Sequence, residues 1–129
     1  MDTFALIFTA LLFGGMVLYS FGFAAFLFTA LPAETAGPTI RKAFPHFYLF
    51  VIVAAGVASL ARVTGDGFSA ALLGAIALST VPTREILMPA INRATDRGAK
   101  RAFAWLHGLS VAITLVHIGL AGWALARFV

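Results

Sequence analysis

His107, Ser110, Thr114 and His117 lie three, four and three residues apart in the last apolar segment of the chain. On a helix that spacing confines them to an arc of about 80°. A polar stripe in a membrane helix is expected to face protein or water rather than lipid. Ser110 and Thr114 can also bond their own backbone, so the histidines carry most of the chemical interest. His107 and His117 would stand about 15 Å apart along the axis, too far to share one small metal ion. His46, at the start of the second apolar segment, falls near the same boundary as His107.

Two readings of His46 with His107 are open. They could be a metal or haem ligand pair, or polar groups facing a small-molecule pocket. They could instead be interfacial histidines bonded to neighbours or headgroups, which the lack of acidic or thiolate partners favours. Whether any cofactor is bound stays open at this stage. An ionisable group at the depth of His117 suggests function by default, although a neutral, hydrogen-bonded packing role is the simpler expectation. Pro82, Arg84 and Glu85 form a third group, which could gate or bind but is expected to mark a membrane boundary. Tyr19 and Ser20 could add polar contacts inside a bundle. No phosphate-cradling glycine loop, paired carboxylates at depth or nucleophile–base spacing is present, so no enzymatic activity is expected.

The elements that position these residues follow from composition. Of 129 residues, 61% are hydrophobic and 11% charged, with a mean hydropathy of +0.99. A soluble domain is about half apolar and about a quarter charged, so lipid must serve as solvent here. There is no cysteine, which excludes disulfide frameworks and thiolate chemistry. The net charge of +4 sits in short segments between apolar runs, so anionic headgroups rather than nucleic acid are the expected partner.

An all-α integral membrane protein is predicted, a single domain over 1–129 with four transmembrane helices in an antiparallel bundle. Their expected bounds are about 3–31, 45–61, 68–88 and 102–126. A short interfacial helix is expected at about 89–98, with Pro89 at its start and Gly98 at its end. The first run is read as a retained helix rather than a signal peptide, because it is long and lacks a basic start. Pro82 is expected to kink the third helix and free the carbonyl of Leu78, with Ser79 and Thr80 placed to compensate. Trp105 and Trp123 lie about 27 Å apart on the fourth helix and read as interface anchors.

The first and third connections hold Arg41, Lys42, Arg84, Arg93, Arg97, Lys100 and Arg101. The other side holds Arg62 and Arg127. Positive loops stay cytoplasmic, so a bacterial inner membrane location with both termini periplasmic is expected. Arg41, Lys42, Arg93, Arg97, Lys100 and Arg101 are the expected headgroup contacts. Small residues four apart predict tight helix crossings at Ala10 with Gly14, Ala54 with Ala58, Ala70 with Gly74, and Gly108 with Ala112.

Gly15, Met16, Phe21, Phe26, Leu31-Pro32, Thr35, Gly37 and Phe44-Pro45, then Thr80-Val81, Arg84, Pro89 and His107-Gly108-Leu109-Ser110, resemble the transmembrane protein 205-like family. The resemblance implies four transmembrane helices. In animals that family is associated with platinum-drug resistance and secretory traffic, and no agreed reaction or site comes with it. It raises interest in His107 and Ser110, which sit in a shared block. The chain departs from the pattern at Pro82, where a polar Asn is expected, and lacks a charged insertion before the last helix.

Two functions compete. One is a membrane protein that binds or moves a small molecule or metal, working as a homo-oligomer. The other is an accessory or assembly subunit of a larger respiratory or photosynthetic complex.

Overall fold

The computed structural model describes every residue from Met1 to Val129. It is an all-α membrane bundle of four helices: α1 (Asp2–Ala30), α2 (Ala33–Arg62), α3 (Gly67–Asp96) and α4 (Lys100–Ala126). Each is long and apolar enough to cross a membrane. Consecutive helices pack side by side, and α4 returns to pack on α1, so α1 lies diagonally opposite α3.

Only 26 of 129 residues are buried, and Phe21, Phe26, Leu60, Leu78, Trp105 and Val116 are among the exposed large apolar side chains. Hydrocarbon satisfies such a surface; water would not. The buried minority forms one core. It joins Leu12 and Met16 of α1, Phe47, Tyr48 and Val51 of α2, Leu73 and Ile76 of α3, and Ala121 and Ala124 of α4.

Small residues let the backbones approach. Ala54, Ala55, Ala58 and Ala61 of α2 are all buried. Across from them Gly74 has no room to spare: a Cβ there would lie 3.1 Å from the Ser59 hydroxyl. That hydroxyl donates to the Ala70 carbonyl at 2.7 Å, tying α2 to α3. Gly122 gives Phe13 comparable access to α4, at 3.1 Å from where its Cβ would stand. The expectation fails for Ala10 with Gly14 and for Gly108 with Ala112. All four are exposed, because α1 and α4 meet their neighbours through Thr9, Leu12, Met16 and Ala121, Ala124 instead.

Two expected boundaries are corrected. α2 starts at Ala33, not near Pro45. Pro32 in an extended conformation caps it, and the polar stretch that reads as a loop is helix beyond the apolar span. Pro38 and Pro45 are tolerated inside it, since a carbonyl freed outside hydrocarbon can be hydrated. The second correction is the separate interfacial helix at 89–98. Residues 88–96 are instead the end of α3, which runs unbroken past Pro82 and Pro89 to Asp96. A bidentate Arg41–Asp96 pair, at 2.7 and 3.0 Å, clips the two extensions together. Gly98, with φ +65°, makes the left-handed turn into α4, which a side chain would strain.

Three helices are irregular at one level. α1 widens into π-helical turns over Leu18–Phe23 and α3 over Thr83–Leu87, while α2 carries Pro45. Counted at 1.5 Å per residue, all three lie about 25 Å from the end that holds the termini. Ser79, Thr80 and Thr83 return hydroxyl bonds to the carbonyls of Ala75, Ile76 and Ser79. The expected compensation for the Leu78 carbonyl therefore falls on the preceding turn, and on Ser79 itself.

At the terminal end, Asp66 caps α3 by accepting from the amides of Phe68 and Ser69. It also accepts from Arg127 at 2.8 Å. Arg62 reaches Asp2 at 2.8 Å and lies over the Phe128 ring. The Arg127 hydrogen bond, then that of the Ser69 hydroxyl, holds the Asp66 carboxyl well below the usual carboxylate range. A depressed pKa contributes stability above the unfolded value, about 3.9, that is lost as pH falls through that value toward the folded one. Thermal stability should therefore hold down to about pH 4 and drop below it. Asp66→Asn should lower stability at neutral pH and flatten that acid limb in a melting series; an unchanged limb would assign the acid loss to other groups.

Candidate functional site

His117 is a buried titratable group at membrane depth, 7% exposed. It reaches the core because Ala121 and Ala124, on the same face of α4, let that helix sit close to α1. Its Nε2 hydrogen-bonds the Ser79 hydroxyl of α3 at 2.8 Å.

Two hollows meet at this histidine. One is an interior cavity of about 10 Å³, lined by Met16, Phe47, Tyr48, Val51, Thr80, Thr83, Ile113, Thr114 and His117. That is close to the least volume that holds one oxygen-sized group. The other is an open groove of about 390 Å³ between α3 and α4, lined by Ala75, Ser79, Ala112, Ile113, Val116, His117 and Leu120. Ala75, Ser79, Ala112 and Val116 are exposed, so the groove opens toward lipid. A volume of several hundred Å³ suits the apolar body of a small molecule.

The predicted stripe divides. His117 is buried, and Thr114 lines the cavity. Ser110 is buried but spends its hydroxyl on the His107 carbonyl at 2.7 Å. His107 is exposed and stacks flat on Phe103, 5.3 Å between centroids. His46 is exposed as well, and neither it nor His107 lines the cavity or the groove. No three His, Asp or Glu side chains converge to hold a metal ion. The residues do not fit a metal centre on this count, and the site is one of hydroxyls and a single imidazole.

Pro82 and Glu85 are exposed. Arg84 pairs with Glu85 and donates from Nε to the Pro45 carbonyl at 3.1 Å, joining α3 to α2 at the irregular level. Tyr19 stacks on Phe47 at 4.7 Å, while the buried Ser20 hydroxyl has no partner. Neither makes the polar contact expected of it. Ser79, Tyr48, Thr80 and Thr83 are the site residues that sequence reasoning missed. Ser79 could have been matched to His117 by depth: it lies about 18 Å and His117 about 14 Å from the ends of their helices at the terminal face.

Charge is sorted by end. Arg41, Lys42, Arg84, Arg93, Arg97, Lys100 and Arg101 share one end with Glu34, Glu85 and Asp96, an excess of 7 − 3 = +4 that equals the whole net charge. Arg62 and Arg127 at the other end are both paired. Lys42, Arg93, Arg97, Lys100 and Arg101 are exposed and make no ion pair.

A family model described as a domain of unknown function, DUF4149, matches residues 7–100. The match spans α1 to α3, with Tyr48, Ser79, Thr80 and Thr83, and stops before His107, Ser110, Thr114 and His117. No curated protein and no solved structure matches the chain.

Proposed function

The chain belongs to the DUF4149 family, and on that premise we propose that it binds a small, lipid-dissolved molecule at the α3–α4 groove, as a binding or transport protein rather than an enzyme. One observation carries this reading. A buried His117, hydrogen-bonded at 2.8 Å to the exposed Ser79, lines an apolar groove that opens to hydrocarbon. Polar groups at that depth are costly and tend to mark ligand pathways. The metal reading loses ground, since no ligand cluster forms.

A photoreactive alkyl probe, crosslinked in vesicles and mapped by mass spectrometry, tests it. Labelling should concentrate on the groove segments around Ala75–Ser79 and Ala112–Leu120. Filling the groove with Val116→Trp should remove it, by fivefold or more. Labelling spread evenly over the outer faces of α1 and α2 would sink the proposal.

A second reading, a subunit of a larger membrane complex or a homo-oligomer, draws on one observation. Ala10, Gly14, Gly108 and Ala112 leave small-residue faces without partners inside the monomer, and such faces suit close helix contact. Stoichiometric partners retained after mild solubilisation would favour it. We also propose that the family relation extends to the transmembrane protein 205-like proteins. The basic end is proposed to be cytoplasmic, in a bacterial inner membrane, where its unpaired cations meet anionic headgroups rather than nucleic acid.

A further inference from the structure

The hydrogen-bond accounting around His117 selects a ligand chemistry. The Ser79 hydroxyl has one proton, and it donates that proton to the Ala75 carbonyl at 2.6 Å. With the proton assigned to that shorter bond, Ser79 accepts from His117 and Nε2 carries the imidazole proton. Nδ1 is left as a bare acceptor on a side chain more than nine-tenths buried, and no group of the chain donates to it. The hydroxyls of Thr80 and Thr83 are spent on backbone carbonyls. Those of Tyr48 and Thr114, which also line the cavity, bond nothing in the chain.

We propose that the site takes a neutral, lipid-soluble hydroxyl compound, an alcohol or phenol. Its O–H donates to Nδ1 of His117, and its oxygen receives a bond from Thr114 or Tyr48. This assignment rests on the binding role proposed above. The dimensions agree with it. The cavity of about 10 Å³ admits a single oxygen, and the groove of about 390 Å³ takes the apolar body. His117 borders both, so one molecule can lie in the groove with its hydroxyl at the imidazole. A carbonyl or ether oxygen brings no proton and leaves Nδ1 unpaired.

The test uses the full chain in lipid nanodiscs with nitrogen-15 in its histidines. Without ligand, the spectrum should show His117 protonated at Nε2 and bare at Nδ1. Titration with 4-octylphenol should move the Nδ1 resonance. Its methyl ether, the same shape without the donor, should bind about tenfold more weakly, roughly the effect of one net hydrogen bond. His117→Phe should abolish the difference between the two compounds. A wild-type spectrum with the proton on Nδ1 overturns the assignment. Equal binding of phenol and ether, both removed by Val116→Trp, overturns the hydroxyl preference and leaves the groove as a binding site. Failure of both compounds to bind in the groove removes the assignment and the binding role together.

Discussion

Ala58→Leu is expected to destabilise the bundle by about 1–3 kcal/mol, enough to unfold much of the population in a harsh detergent. Ala58 is fully buried, as is Ala55 beside it. At the neighbouring Ser59, the position of a Cβ on Gly74 already lies 3.1 Å from the hydroxyl. A leucine has nowhere to go unless α2 shifts away from the helices packed on it. A shift away from α3 would also break the hydrogen bond from Ser59 to the Ala70 carbonyl. Lipid supplies no hydrophobic drive to restore the contact, because the tails are as apolar as the side chain. The control is Ala71→Leu, the same change on the exposed face of α3, which should leave stability within about 0.5 kcal/mol. Unfolding in mixed micelles by graded sodium dodecyl sulfate measures both. Equal midpoints for the two variants would show that the crossing is looser than described.

The second large effect is on orientation. Replacing Lys42, Arg93, Arg97, Lys100 and Arg101 with glutamine leaves Arg41 and Arg84 facing Arg62 and Arg127, a balance of two against two. Orientation follows the Lys/Arg bias of short loops, so the variant should insert in both directions. The parent chain should insert in one. Reporters that are active only outside or only inside the inner membrane, fused after Val129, would read this directly. A variant that still inserts one way would mean that something other than these five cations sets the topology. The five make no ion pairs, so their loss should leave the packing of the bundle in place.

The number of membrane helices was legible because lipid imposes it: an apolar run of sufficient length has one stable conformation in hydrocarbon. The ends of α2 and α3 were not, because outside hydrocarbon the same signal vanishes. Residues 33–44 and 88–96 are helical through local bonding and the Arg41–Asp96 clip, and no apolar periodicity announces that. His117 stood out by type and depth. His107 and Ser110 shared its stripe but fell outside the site, since an arc of about 80° is wide enough to reach from core to lipid. In the sequence Ser79 reads only as a hydroxyl placed to bond its own backbone. Its tie to His117 depends on the relative height of two antiparallel helices, a quantity that no single segment encodes.

The coincidence of Leu18–Phe23, Pro45 and Thr83–Leu87 at one height has a mechanical consequence. Each interrupts the regular ladder that makes a helix stiff, and bends concentrate at such interruptions. Bending of α1, α2 and α3 is therefore expected to concentrate in a single transverse seam, which α4 crosses as regular helix. The regular turns above and below it are expected to move as units, and the Arg84 bond to the Pro45 carbonyl is a rivet set in the seam itself.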